Sequence, residues 1–231
     1  MGLAVEVRLI TSLAEDIANL QEQMLPQIPQ DTLQTMQAAT AVLKQSDLEK
    51  GALKVGAAAP DFDLPELAGG RVRLADVLQQ CPVVLSFYRG AWCPYCNLEM
   101  QALQKALPGI KAAGGKLITI APEIPAHAGE IRDKGNLTFP LLHDRDNAVA
   151  RQYGLVFTLP DTLRPIYENF GIDLADSQGN DAFELPMPAT YIIRQDGIVA
   201  HAFVNADYTQ RMEPDMIIDI LGELKHERRS R

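Results

Sequence analysis

The feature that most constrains this chain is an apolar segment followed at once by a pair of cysteines. Residues 82–86 read Pro-Val-Val-Leu-Ser, which is typical of a short buried strand, and Gly90 ends it. Pro94 then stands where a helix would begin, and apolar residues recur after it at helical spacing. The pattern predicts a strand that leads into a helix whose first turn carries Cys93 and Cys96.

That position has a chemical consequence for the two cysteines. A helix N-terminus presents unpaired backbone N–H groups and the positive end of the helix dipole. A thiolate is stabilised there, so the sulfur becomes a better nucleophile at neutral pH. Arg89, four residues before Cys93, can add positive charge. Because Cys93 and Cys96 are three residues apart, they share a helix face and can close a small disulfide ring. The motif therefore predicts a redox-active pair.

Two other interpretations of the pair are open. It can be half of a zinc site, but the chain has no second Cys-x-x-Cys motif and its four histidines lack close ligand spacing. It can also be two buried structural cysteines, although Trp92, Pro94 and the helix start argue against inert burial. We therefore expect redox chemistry, with no metal and no other cofactor. The histidines are His127, His143, His201 and His226.

The composition of the chain argues against some classes of binding partner. Of the 231 residues, 47% are apolar and 22% charged, which is typical of a soluble globular protein. The net charge of −9 argues against nucleic acid, and the basic cluster at 225–231 fits a solvated helix end. No stretch approaches the roughly 18 apolar residues that would span a membrane. Three cysteines and an N-terminus without a basic leader predict a cytoplasmic protein.

The first 50 residues are predicted to form a helical hairpin that extends the main domain. Residues 3–9 alternate loosely and fit either a strand or a helix. Ser12 and Glu15 form a capping box that begins a helix, and Asp31 marks a second start. The apolar face of the hairpin can pack on the main domain or on a second copy, which would make a homodimer. The face of the first helix comprises Leu13, Ile17, Leu20 and Met24.

After a loop-like junction at 51–60, predicted strands and helices alternate. The strands are apolar, which predicts an α/β domain with a central sheet and helices on both faces. Gly69-Gly70 and Asp196-Gly197 are hairpin signals. The segment 155–187 departs from the alternation, since a strand and a helix start are followed by a polar loop up to Glu184. A last helix is expected from Pro214.

Four separated motifs in the same order match one protein family. Residues 53–231 resemble the peroxiredoxin-like members of the alkyl hydroperoxide reductase and thiol-specific antioxidant family, which have a thioredoxin fold. The resemblance implies a thioredoxin-like domain at 51–231, with a central mixed sheet, behind the N-terminal helical extension at 1–50. It also implies hydroperoxide reduction, with thioredoxin or a similar dithiol as reductant. The motifs are residues 55–67, 87–96, 138–154 and 185–197.

The resemblance implies roles for individual residues. The family pattern Pro-x-x-x-Thr-x-x-Cys ends at Cys96, which makes Cys96 the peroxidatic thiol. Cys93 stands at the threonine position and Arg89 at the proline position. Pro188 stands where the family has an arginine, and it looks like the cis-proline of thioredoxins. Arg89 is then expected either to stabilise the thiolate and the leaving oxygen, or to form a surface salt bridge.

Three functions follow as hypotheses. In a thiol peroxidase, Cys96 attacks the peroxide and Cys93 condenses with the resulting sulfenic acid to form a disulfide. In a thiol–disulfide oxidoreductase, Cys93 instead attacks a protein or glutathione disulfide and Cys96 resolves it. In a redox-sensing module the disulfide forms without turnover. For the two enzymes, the residues expected to contact substrate are Trp92, Tyr95 and Pro188.

The remaining candidates are expected to be structural or have no assigned chemistry. Cys81 precedes the buried strand and is interpreted as a small core residue. His127 follows a strand end and is interpreted as a solvated loop residue, with a role as general base as the alternative. The family match also covers four residues to which the pattern assigns no chemistry, namely Glu123, Asp207, Tyr208 and Arg211.

Overall fold

The computed structural model of the protein describes residues 12–229, so the prediction for residues 3–9 lies outside the described residues. The helices in the described range are α1 (Leu13–Met24), α2 (Gln30–Gln45), α3 (Leu48–Gly51), α4 (Leu74–Leu78), α5 (Pro94–Ala112), α6 (Pro125–Gly135), α7 (Ala148–Gln152), α8 (Arg164–Asn169), α9 (Leu174–Gln178) and α10 (Pro214–Arg229). None of them has the length and the apolar composition that crossing a membrane requires.

The strands in the same range form one large and two small sheets. They are β1 (Asp63–Pro65), β2 (Arg71–Arg73), β3 (Val83–Phe87), β4 (Lys116–Ala121), β5 (Leu141–His143), β6 (Val156–Thr158), β7 (Glu184–Pro186), β8 (Ala189–Ile193) and β9 (Val199–Val204). Strand β1 pairs with β2 through the predicted Gly69-Gly70 turn, and β6 pairs with β7. The other five strands form the central sheet, in the order β5-β4-β3-β8-β9.

The central sheet is mixed, with β3 in the middle. Strand β3 runs parallel to β4, and β4 parallel to β5, whereas β8 and β9 are antiparallel to their neighbours. Phe87, the last residue of β3, lies opposite Ala189, the first residue of β8. The segment that follows β3 therefore leaves the sheet at the same edge at which the chain enters β8.

Helices cover both faces of this sheet because side chains of a strand alternate between its faces. Val83, Leu85 and Phe87 of β3 belong to a core cluster that includes residues of α4 and α7. Val84 and Tyr88 point into a second cluster, formed with residues of α1, α5, α6 and α10. The predicted α/β fold with helices on both faces is confirmed.

The N-terminal helix packs on the main body of the protein. The predicted capping box is present, since Ser12 Oγ accepts from the Glu15 N–H at 3.2 Å and Glu15 Oε2 accepts from the Ser12 N–H at 2.9 Å. Leu13 and Ile17 are buried in the cluster that contains Cys96. The apolar face of α1 therefore covers α5 in the same chain. The domain boundary at residue 50 and a homodimer both stay predictions.

The segment between β6 and β7 forms a small layer of its own. The sequence predicted a polar loop here, but the structure has an additional helix, α9, whose cap Asp173 accepts from the Asp176 N–H at 2.9 Å. Apolar residues of the segment, including Leu163 and Tyr167, form a third cluster. Met36 and Ala39 of α2 pack against that cluster, as does Trp92. This layer brings α2 and Tyr167 close to the turn that precedes the cysteines.

Candidate active site

The turn between β3 and α5 carries the two cysteines. Gly90 has φ of 151°, and a Cβ there would collide with the Trp92 ring and lie 3.1 Å from Glu123 Oε1, so the turn requires glycine. Cys93 is the N-cap of α5 and Pro94 its first residue. The predicted sequence of strand, turn and cysteine-bearing helix is confirmed.

Both sulfurs of this pair are buried. Cys93 is 1% exposed and Cys96 is fully buried. Both are free thiols, so the structure represents the reduced pair, and the Cys93–Cys96 disulfide stays a prediction. Buried thiols ionise only where hydrogen bonds and positive charge outweigh the loss of water.

The two thiols have opposite pKa shifts. Burial alone would raise the pKa of Cys93, but the hydrogen bond from the Cys96 thiol and the charges of Arg89 and Arg211 outweigh it and lower that pKa to about 6. Burial, together with the hydrogen bond to Cys93 and the charge of Cys93, raises the pKa of Cys96 well above its ordinary value. These opposite shifts favour ionisation of Cys93 over Cys96, whereas the family pattern assigns the attacking thiolate to Cys96.

Arg89 lies in an aromatic cage. Its side chain is buried, and its guanidinium carbon lies 4.6 Å from the ring centroid of Tyr208, 4.8 Å from that of Trp92 and 5.8 Å from that of Tyr167. The guanidinium also donates a hydrogen bond to the Tyr167 hydroxyl. Within residues 12–229 no carboxylate pairs with Arg89. The expected alternative of a surface salt bridge is wrong, because aromatic rings and not solvent surround the guanidinium.

Arg211 is the second guanidinium at the pair. It lies in the loop between β9 and α10, and its Nη2 donates to Cys96 Sγ at 3.6 Å. Its Nε lies 2.6 Å from Glu99 Oε2, and both side chains of this ion pair are 2% exposed. Glu99 also accepts from Ser86 Oγ at 3.3 Å. Burial raises the pKa of Glu99 to about 7, although the charge of Arg211 acts in the opposite direction.

The ion pair between Glu99 and Arg211 is not predicted by the sequence. Glu99 follows Cys96 by one helical turn and lies on a face with Met100 and Leu103, which are buried. A carboxylate on an apolar helix face indicates a buried charge that needs a partner, and this is the sequence signal for the ion pair. The loop that carries Arg211 has no periodicity from which a contact with Cys96 can be predicted.

A second buried carboxylate, that of Glu123, supports the cysteine turn. Its Oε2 accepts from the Ala91 N–H at 2.9 Å, and its Oε1 accepts from Ser177 Oγ at 3.2 Å. Burial raises the pKa of Glu123 to about 7, against the lowering effect of these hydrogen bonds.

His127 lies in the first turn of α6 and not in a loop, with its Nε2 2.9 Å from Asp176 Oδ2.

Of the three predicted substrate-contacting residues, Trp92 and Tyr95 adjoin the cysteines in the chain and pack on other aromatic rings. Trp92 is half-buried, with its ring centroid 5.6 Å from that of Tyr167. Tyr95 is buried and its ring packs on Tyr208 at 5.6 Å. Pro188 is buried at the entry to β8, at the sheet edge from which the cysteine turn leaves. Roles for these residues in substrate binding stay predictions.

Two smaller expectations have different outcomes. The peptide bond before Pro188 is trans, as are all described peptide bonds, so the expected cis-proline is wrong. Cys81 is half-buried at the other end of β3 and packs against the first core cluster, as expected of a small core residue.

Comparison with known proteins identifies the family. The family model described as AhpC/TSA matches residues 55–202. The chain belongs to the AhpC/TSA family. The predicted resemblance is confirmed, although the matched range ends before Arg211 and α10.

Curated relatives of this AhpC/TSA protein are of two kinds. The chain is 35% identical over 116 residues to the thiol-disulfide oxidoreductase ResA of Geobacillus thermodenitrificans, covering 50% of this chain and 65% of that protein. It is 34% identical over 103 residues to peroxiredoxin Bcp of Escherichia coli, covering 45% of this chain and 65% of Bcp. The chain thus spans 65% of the length of these relatives.

Solved structures confirm the thioredoxin fold. Peroxidoxin BcpB from Mycobacterium tuberculosis superposes with a TM-score of 0.58 at 22% identity, covering 74% of this chain and 98% of that chain. The reduced 2-Cys peroxiredoxin of Plasmodium vivax superposes with a TM-score of 0.58 at 23% identity, covering 77% of this chain and 84% of that chain. The peroxiredoxin-like fold predicted for the C-terminal part of the chain is therefore confirmed.

Proposed function

We propose that the protein is a thiol peroxidase that reduces hydroperoxides through Cys93 and Cys96. The observation that carries the proposal is that two buried guanidinium groups, those of Arg89 and Arg211, act on a pair of sulfurs that are at most 1% exposed. A small hydroperoxide suits such an enclosed site better than a loop of a folded protein does. Membership of the AhpC/TSA family and the similarity to Bcp support the same reaction.

The first step consumes the thiolate. The Cys93 sulfur attacks the terminal oxygen of the hydroperoxide, so an S–O bond forms and the O–O bond breaks. Cys93 becomes a sulfenic acid, and the alkoxide that leaves takes up a proton to become an alcohol. Charge develops on the leaving oxygen, and the guanidinium groups of Arg89 and Arg211 stabilise it.

The second step forms the disulfide. The Cys96 sulfur attacks the sulfur of the Cys93 sulfenic acid, and the hydroxyl group leaves with the Cys96 proton as water. An external dithiol such as thioredoxin, or glutathione, then reduces the disulfide. This reductant, a homodimeric assembly and a cytoplasmic location are parts of the proposal.

The choice of Cys93 as attacking thiol departs from the family pattern, which assigns attack to Cys96. The lowered pKa of Cys93 and the raised pKa of Cys96 support the choice. In a Cys96→Ser variant, hydrogen peroxide should still convert Cys93 to a sulfenic acid that dimedone traps. Cys93→Ser should trap little. The reverse result would restore Cys96 as the attacking thiol.

Stopped-flow fluorescence of the reduced protein tests the reaction itself. Trp92 is the single tryptophan of the chain and adjoins Cys93, so its emission reports oxidation of the pair. Hydrogen peroxide should cause a fast, concentration-dependent change that Cys93→Ser abolishes. A fast response to oxidised glutathione or a protein disulfide, without one to peroxide, would assign the thiol–disulfide oxidoreductase function instead. The similarity to ResA favours that second candidate.

A further inference from the structure

Arg211 reaches the sulfurs from a loop that follows residue 202, where the match to the AhpC/TSA family model ends. We call residues 205–213 the arginine loop. It carries Tyr208, whose ring packs on Arg89, and Arg211, which contacts Cys96 and Glu99. Pro188, and not an arginine, precedes β8, and the positive charge in contact with Cys96 comes from the arginine loop. The position of Arg211 therefore depends on what holds the arginine loop.

The start of the arginine loop is bound to α2 and α3. Lys44 Nζ of α2 lies 2.9 Å from Asp207 Oδ2, with side-chain exposures of 47% and 22%. Glu49 Oε1 of α3 accepts from the backbone N–H of Ala206. Asp207 Oδ1 also accepts from the Thr209 N–H at 3.1 Å, so the ion pair with Lys44 and the loop's own turn share one carboxylate.

The end of the arginine loop is bound to α1. The carboxylate of Glu213 accepts from the backbone N–H groups of Leu13 and Ala14 at 3.1 and 2.8 Å. These are free N–H groups at the start of a helix, so Glu213 caps α1 from a distant part of the chain. Met212 is buried in the same core cluster as Leu13. Both ends of the loop are thus bound to the N-terminal helices, with Tyr208 and Arg211 between them.

We propose that helices α1–α3 position Arg211 against Cys96, with Lys44, Glu49 and Glu213 as the positioning residues. None of these three contacts the sulfurs, and each acts through the arginine loop. The inference deepens the proposed peroxidase function, because it names what holds the charge that stabilises the sulfur pair. The test of this inference measures thiol ionisation, so its result does not depend on whether a hydroperoxide is the substrate.

The pH dependence of thiol alkylation measures how the contacts of the arginine loop affect ionisation of the cysteine pair. Iodoacetamide reacts with the thiolate, so its rate on the reduced protein reports the thiol pKa. In Lys44→Met/Glu49→Ala/Glu213→Ala, which leaves Arg89, Glu99 and Glu123 intact, that pKa should rise by about half a unit, or about threefold in proton affinity. The conservative variant Lys44→Arg/Glu49→Gln/Glu213→Gln should recover most of the wild-type value.

A matched control separates this effect from general changes in the N-terminal helices. Lys50 pairs with Asp47, three positions before it, at 2.7 Å, and both side chains are more than 80% exposed. Lys50→Met should therefore leave the thiol pKa unchanged. If circular dichroism shows that the triple variant is unfolded, the single variants Lys44→Met and Glu49→Ala are compared with Lys50→Met instead. Each should raise the thiol pKa by a smaller amount than the triple variant.

A second background tests whether the effect passes through Arg211. The double variant Arg211→Gln/Glu99→Gln removes both members of the buried ion pair. In that background, the three substitutions should cause no further shift of the thiol pKa. An equal shift in that background, or no shift in the folded wild-type background, would overturn the inference. A wild-type protein without peroxide turnover, but with the expected shift, would instead refute the proposed function and leave the positioning role standing.

Discussion

Arg89 and Arg211 bring the same charge to the same pair of sulfurs, but the protein holds them by different means. Arg89 comes from the turn after β3 and lies among the rings of Trp92, Tyr167 and Tyr208. Arg211 comes from the arginine loop and forms a buried ion pair with Glu99. Among the described residues, only the second guanidinium has a carboxylate partner. An aromatic cage thus fixes a charge without offsetting it, whereas a carboxylate fixes a charge and offsets part of it.

The largest difference between the two regions should appear in stability. Arg211→Met leaves Glu99 buried without its partner, and removal of one member of a buried ion pair costs about 3 kcal/mol or more. Arg89→Met leaves no carboxylate unpaired and removes a buried charge, so it should cost much less. Urea unfolding of the reduced variants at pH 8 measures both changes.

The cost of Arg211→Met should depend on pH. The pKa of Glu99 is raised to about 7 in the folded protein, so the folded state binds this proton more tightly than the unfolded state does. The stability that this proton confers is present below the ordinary pKa of 4.5 and is lost as the pH rises to about 7. Arg211→Met should therefore cost less at pH 5 than at pH 8, and Arg211→Met/Glu99→Leu should recover most of the loss. Equal costs at both pH values would contradict the role of Glu99.

The same two regions show how far the sequence predicts the site. Arg89, Cys93 and Cys96 lie within eight residues, and local signals such as a buried strand, Gly90 and Pro94 were enough to predict the strand, the turn and the cysteine-bearing helix. They did not predict the cage of rings around Arg89, because Tyr167 and Tyr208 come from distant parts of the chain. Arg211 is 115 positions from Cys96, and its contact depends on tertiary packing that a loop sequence does not encode locally.

Two further differences between the predictions from sequence and the structure have the same origin. The polar residues around α9 carry no helical stripe, and the helix is stabilised by its Asp173 cap and by packing of Leu174. The expectation of a cis-proline at Pro188 was wrong because the residue type alone does not determine the isomer of the preceding peptide bond. Patterns of neighbouring residues therefore predicted the fold and the sulfurs, but not the groups that long-range contacts bring to them.

Arg89 and Arg211 should also differ in their effect on thiol ionisation. Arg89 contributes more than Arg211 to lowering the pKa of Cys93. Arg89→Met should raise that pKa by about one unit, which is about a tenfold loss of thiolate at pH 5. Arg211→Gln/Glu99→Gln removes a charge and its counter-charge together, so its shift should be smaller. Alkylation rates across pH 4.5–8.5 give both values, and a larger shift in the Arg211 variant would reverse the proposed order.

The smallest expected effect separates the two kinds of contact within the aromatic cage. Tyr167 meets Arg89 with its hydroxyl group, whereas Tyr208 presents its ring face. Tyr167→Phe removes one hydrogen bond to a charged group and should free the guanidinium to turn, with a rise of less than about half a unit in the pKa of Cys93. Tyr208→Phe keeps the ring and should leave that pKa unchanged.

The two phenylalanine variants are matched in size and in the group removed, so alkylation rates at pH 5 compare them directly. A slower rate in Tyr167→Phe alone would mean that the hydroxyl group sets the orientation of Arg89. Equal rates in Tyr167→Phe and wild type would mean that the ring faces are sufficient. Arg89 would then be held by π contacts alone, and its difference from the ion-paired Arg211 would be wider than the structure indicates.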